Sequence, residues 1–164
     1  MAKEPLATEH ILALLEAGPG RIAALVADAT PEQLRASAGG GWSAVDALAH
    51  LRSCADVWGG CIDAILAEDH PTIRAINPTT WIDRTDYREL EFQPSFAAYA
   101  AQRAALLERL KALPGAAWER SATVTGAGRA LERTARFYAQ WLAEHERSHF
   151  KQFKQIAAAL RGGR

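Results

Sequence analysis

LERTARFYAQWLAEHERSHFKQFKQIAAAL, residues 131–160, decides how the rest of this chain is read. At about 100° per residue, Tyr138, Trp141, Leu142, His145, His149, Phe153, Ile156 and Leu160 share one arc about 120° wide, the pattern of a helix laid on a core. The spacing predicts a last helix from Leu131 to about Leu160, with both histidines on its apolar face. Arg147, Lys151, Lys154 and Arg161 form a basic stripe on the other side, as a solvated face near a helix C-terminus would.

Helical periodicity extends through most of the remaining sequence. Ile11, Leu14, Leu15, Ile22 and Leu25 mark a first helix, which Gly18-Pro19-Gly20 is expected to kink or divide. Thr30-Pro31 opens a short piece to about Ala36, followed by a flexible joint at Gly39-Gly40-Gly41. Ser43 caps a long helix to about Ala67, with Asp46 at its third position and Trp42 placed to staple its start against the following turn. Gly59-Gly60 weakens that helix by ~1 kcal/mol per glycine, which close packing by a neighbour or ligand, or a tolerated kink, would explain. A further helix is expected from about Ser95 to Leu113. Irregular stretches at His70–Pro94 and around Thr125-Gly126-Ala127-Gly128 complete the chain. The expected fold is all-α, a four-helix bundle with a long crossover connection and negligible strand, in one domain spanning 1–164.

Among the 164 residues, 19 Lys and Arg balance 19 Asp and Glu, so the chain lacks the positive field of a nonspecific nucleic-acid binder. Neither a signal peptide nor a membrane-spanning run is recognisable, which points to the cytoplasm and to no membrane partner. Cys54 and Cys61 lie seven apart on one helix, about 10 Å along its axis, too far for a disulfide, and read as buried reduced thiols.

His145 and His149, one turn apart, can converge on one metal ion. Two ligands are too few, and a third must come from upstream. His50, on the apolar face of the long helix, is the candidate, although taken alone it reads first as a hydrogen-bonded core histidine. His10 and His70 lie near a chain end and in a loop, where surface positions are expected. Cys54, one turn after His50, is a candidate fourth ligand, and Asp46, one turn before it, a candidate to orient its ring if the helix cap does not occupy it. His145-Glu146-Arg147-Ser148-His149 also spells HExxH, with Glu146 as a candidate catalytic base, although a carboxylate on the exposed flank of the helix is the plainer reading. After His149 no His, Asp or Glu remains to complete a metalloprotease set. A second Glu-x-x-His, needed for a di-iron bundle, is also missing, so a mononuclear site is expected.

Gly41-Trp42-Ser43, Leu48-Ala49-His50-Leu51 and His145-Glu146-Arg147-Ser148-His149-Phe150-Lys151-Gln152, in that order, resemble the DinB-like superfamily from about Leu12 to Ile156. The resemblance implies an up-down-down-up four-helix bundle, often a homodimer, with a divalent metal held by three histidines at the positions of His50, His145 and His149. Zinc or nickel is the ion it implies first, with iron or manganese as further options. Some members are transferases or isomerases that use a low-molecular-weight thiol. The leading expectation is therefore a metal-dependent enzyme acting on small molecules, of the thiol-dependent transferase type. One alternative is a zinc hydrolase with HExxH-type chemistry. The other is a non-catalytic stress-related or ligand-binding bundle in which Trp58, Trp81, Trp118 and Tyr99 line an apolar pocket.

Overall fold

The computed structural model describes residues 3–37 and 39–162, so the expected domain limits, 1 and 164, lie outside the described residues. Four long helices dominate: α1 (Thr8–Leu25), α3 (Ala44–Ala67), α5 (Phe92–Lys111) and α6 (Ala135–Gly162). Two short ones, α2 (Pro31–Arg35) and α4 (Pro78–Trp81), sit in the connections. Both α5 and α6 pack along α1 and α3, so α5 and α6 face each other across the diagonal of the bundle. Among the described residues no helix is long and apolar enough to cross a membrane.

Two apolar clusters fill the interior. One joins Ile11 and Leu15 of α1, Ile62 and Ile65 of α3, Leu106 and Leu110 of α5, and Ala139 and Leu142 of α6. The other joins Ile22, Leu48 and Leu51, Phe92 and Tyr99, and Phe150 and Phe153 from the same four helices. Between them lies a polar layer made by Arg103 and Glu146, each almost fully buried.

That layer explains why α1 is not divided at Gly18-Pro19-Gly20. A proline cannot donate to the carbonyl four residues earlier, here that of Leu15, and leaving it buried without a donor costs about 1–3 kcal/mol. The Arg103 guanidinium supplies the missing donor, Nη1 to Leu15 O at 3.1 Å. Gly18 makes room for it: a Cβ there would lie 3.0 Å from Glu146 Oε2 and 3.4 Å from Arg103 Nη1. The helix therefore runs unbroken through all three residues.

Helix α5 starts at Phe92, not Ser95, because Pro94 falls in the first turn, where backbone N–H groups have no intrahelical partner to lose. The expectation of negligible strand is also corrected. A three-stranded sheet is built from β1 (Thr72–Arg74), β2 (Ser121–Thr125) and β3 (Leu131–Thr134). β1 pairs with β2 in parallel, Thr72 opposite Thr123, and β2 with β3 antiparallel, Val124 opposite Leu131. Ala122 and Val124 point into the core, and Gly126 (φ 88°) and Gly128 (φ 87°) shape the turn that β-carbons would resist. Leu131 continues the helical spacing of α6 in sequence, which hid this strand; α6 itself begins at Ala135.

Candidate metal centre

The start of α3 is fixed by a reciprocal cap. Asp46 N donates to Ser43 Oγ at 3.1 Å, while Ser43 N and Oγ both donate to Asp46 Oδ2, at 2.9 and 2.8 Å. Asp46 is thus taken up by the cap. One turn further, His50 is 7% exposed and points toward α6. There its Nε2 lies 3.0 Å from His145 Nε2, which lies 3.0 Å from His149 Nε2. His10 and His70 are exposed, as expected, and stand apart from this cluster.

The chemistry of this donor set fits a cation. For metal–nitrogen bonds of about 2.0–2.1 Å, three imidazoles on one ion hold their nitrogens roughly 2.9–3.4 Å apart. The two pairs that share His145 have that spacing, and all three ligand atoms lie within 4.8 Å of one another. Burial, together with the charges of His149 and Arg88, lowers the His50 pKa to about 4. Burial, with His149 and His50 nearby, lowers His145 to about 4 as well. Both rings are therefore neutral at pH 7, the form that offers a lone pair. His149 donates from Nδ1 to Gln152 Oε1 at 2.8 Å, which leaves its Nε2 as an acceptor directed at the cluster. Gln152 forms part of the sequence pattern quoted above, but its contact with the ring emerges only in three dimensions.

Cys54 Sγ lies 3.5 Å from His50 Nε2. Burial, then the nearby Glu146 charge, pushes its thiol up to about 12, so it packs as a small neutral group. Both cysteines are free and buried, as expected.

Two tryptophans bracket the rings. Trp42 does not staple the helix start against the following turn; it is 42% exposed and leans over the cluster, 5.2 Å from His50 and parallel to His149 at 6.4 Å. Trp58 meets His145 edge-on at 5.0 Å. Beside His50 a cavity of about 160 Å³ opens between Trp42, Thr79, Ile82 and Arg88. Trp42 belongs to the sequence pattern quoted above and Trp58 to the expected aromatic pocket, but the contact of either with the histidines, and the place of Arg88 beside them, emerge only in three dimensions.

The reading of Glu146 as an exposed flanking carboxylate is overturned, for it is 1% exposed. Its Oε2 accepts from Arg103 Nη1 at 2.8 Å, and its Oε1 accepts from Arg103 Nη2 and from the Tyr99 hydroxyl, the latter at 2.9 Å. Burial alone would lower the Arg103 pKa, but beside this carboxylate it stands above its ordinary value. The Tyr99 hydroxyl is raised by burial and by the same carboxylate, so it stays a donor. With all these donors on it, Glu146 faces the bundle interior, while the histidines on either side stand at the rim of the buried face. The arc that seemed centred on the histidines is in fact rotated, with Glu146 near its middle and Trp141 43% exposed. The basic stripe is exposed, as expected.

Trp81 and Tyr99 line one cavity together, but Trp58 and Trp118 do not join them, so the four do not form one pocket. Trp118 is buried in the first apolar cluster, Trp81 donates to Asp56, Tyr99 to Glu146, and only Trp58 reaches the histidines.

Comparison with known proteins adds two findings. Residues 14–153 match the sequence pattern of the DinB superfamily. The fold is similar to that of YfiT from Bacillus subtilis, with a TM-score of 0.80 and 17% identity over 98% of this chain and 93% of that one. That protein is described as a probable metal-dependent hydrolase with an unusual four-helix bundle topology. No curated protein matches the sequence.

Proposed function

The chain belongs to the DinB superfamily, and on that premise we propose that it is a metal-dependent enzyme acting on small molecules, with a divalent ion held by His50, His145 and His149. The convergence of three Nε2 atoms from two helices, two of them on rings kept neutral by burial, carries this reading. When bound, such an ion lowers the pKa of an attacking water or thiol toward neutrality.

The chain's own residues do the rest. Gln152 holds the His149 ring in the tautomer that offers Nε2. Trp42 and Trp58 shield the rings from bulk water on two sides. Arg88 lines the small cavity beside His50, where its guanidinium is paired with Asp83 at 3.1 Å.

Transfer of a small thiol to an electrophile is the reaction we propose to test first, and hydrolysis second. The description of the Bacillus subtilis protein favours hydrolysis, whereas the engagement of both Glu146 oxygens deprives HExxH-type chemistry of its base. Zinc or nickel as the ion, a homodimer and a cytoplasmic location belong to the same proposal. So does the up-down-down-up helix order, which is supported by the apolar clusters: each joins one half of α1 and α6 to the opposite half of α3 and α5.

Elemental analysis of the purified protein beside His50→Ala and His149→Ala tests the centre. About one equivalent of metal in the parent and almost none in either variant is expected. Stoichiometric metal in both variants, or none in the parent, overturns the proposal. With the site established, a panel of small thiols with electrophiles, run beside ester and amide substrates, separates transfer from hydrolysis.

A further inference from the structure

A cavity of about 740 Å³ lies between α6, the segment before α1 and the β2–β3 hairpin, with Trp58 of α3 on one wall. Its size suits a small organic ligand. Trp58, Phe137 and Trp141 supply a continuous aromatic wall: Phe137 stacks on Trp141 at 5.7 Å, Trp141 meets Trp58 edge-on at 5.9 Å, and Trp58 meets His145 at 5.0 Å. Trp58 thus borders both the cavity and His145, although none of the three histidines lines the cavity itself. Trp141 lines this cavity and leaves 43% of its surface in contact with solvent.

Three cations line the same cavity, and two of them are neutralised. Lys3 pairs with Glu144 at 2.8 Å and Arg136 with Glu119 at 2.6 Å. Arg133 is different. Its guanidinium lies 4.3 Å from the centre of the Phe137 ring, half-buried, with only the Glu132 backbone carbonyl as a hydrogen-bond acceptor, and among the described residues no carboxylate pairs with it. A partly desolvated guanidinium beside an apolar wall favours a planar anion that accepts two parallel hydrogen bonds.

We propose that this cavity binds a small carboxylic acid with a flat aromatic body, its ring against Trp141 and Phe137 and its carboxylate on Arg133. This deepens the metal-enzyme reading, and rests on it, only in naming the class of substrate whose other end would reach past Trp58 toward His145. Binding itself depends on the cavity alone.

Titration with 1-naphthoate, followed by tryptophan fluorescence and calorimetry, tests the assignment, with 1-naphthalenemethanol as the uncharged analogue and acetate as the ringless one. Naphthoate is expected to bind with 1:1 stoichiometry, about tenfold tighter than the alcohol, and acetate not measurably. Trp141→Ala, at an exposed position that the fold tolerates, should weaken naphthoate about tenfold. Arg133→Gln should erase the preference for the acid while leaving the affinity for the alcohol in place, and Arg133→Lys should restore part of it. Equal affinity for acid and alcohol in the parent, or unchanged naphthoate binding in both Trp141→Ala and Arg133→Gln, overturns the proposal. The same titrations after treatment with a chelator should give the same affinities. A parent that binds naphthoate but contains no metal would sink only the metal centre, and a parent with metal but without naphthoate binding only this cavity.

Discussion

His145 and Glu146 are neighbours in the chain, and α6 turns them into two different regions of the molecule. His145 stands at the rim of the bundle beside His50 and His149, half-buried, its pKa lowered to about 4. Glu146 stands in the middle, fully engaged with Arg103 and Tyr99 in the layer between two apolar clusters. One region keeps neutral donors turned toward a common point; the other ties down every charge it contains. A buried ion pair adds little net stability over apolar residues of the same shape, so its main consequence here is geometric. It sets which side of α6 turns inward, and so where the two histidines point.

Breaking the central region should have the largest effect. Glu146→Ala leaves the Arg103 charge buried without its partner, and a loss of about 3–5 kcal/mol in urea unfolding is expected. A loss under about 1 kcal/mol would show that the layer is not the closed pair described above. Replacing both residues together with apolar ones of similar volume should cost much less than the single change, which a double-mutant cycle would reveal.

At the rim the expected signature is loss of affinity rather than of fold. Gln152→Leu removes the acceptor that orients His149, and metal binding should weaken by about 10–100-fold while the unfolding midpoint of the metal-free protein hardly moves. Equal metal affinity would deny Gln152 its positioning role.

Glycines sharpen the contrast between filled and open space. Gly18→Ala puts a Cβ 3.0 Å from Glu146 Oε2, and about 1–3 kcal/mol of destabilisation is expected from crowding the ion pair. Gly60→Ala meets nothing within 4 Å and should stabilise α3 by about 0.5–1 kcal/mol. If Gly18→Ala also stabilised the protein in thermal unfolding, the central layer would be more yielding than its geometry indicates.

Acid should act on the rim. His50 and His145 have pKa values lowered to about 4, so below their ordinary value near 6.5 the unfolded chain binds protons that the folded chain refuses. Their contribution is fully present above pH 6.5 and is lost as pH falls toward 4, on the order of 1–2 kcal/mol in the metal-free protein. Stability that stays flat across that window would mean the rings are more open to water than their burial implies.

Much of the fold could be read along the chain because the signals are local. The Ser43–Asp46 cap, the end of α3 at Ala67 and the apolar spacing of four long helices need only neighbours within a turn or two. The candidate ligands were legible for a similar reason, since His145 and His149 lie one turn apart and His50 sits on an apolar helix face. What escaped notice depends on partners far away. Glu146 looked like a flanking carboxylate because its partner, Arg103, lies 43 residues earlier on another helix. Gly18-Pro19 looked like a break because the donor that repairs it is 88 residues from Leu15. The sheet escaped because β1 and β2 belong to two irregular stretches, each too short to show a period of two.

The amino-acid order by itself determined the helices, their caps and the one-turn spacing of His145 and His149, because hydrogen bonding and side-chain periodicity act over a few residues. Only the tertiary structure decided how far α6 is rotated, which of its adjacent side chains enters the core, and that the three rings meet. Those outcomes depend on filling one interior from four helices at once, and no single segment carries that information.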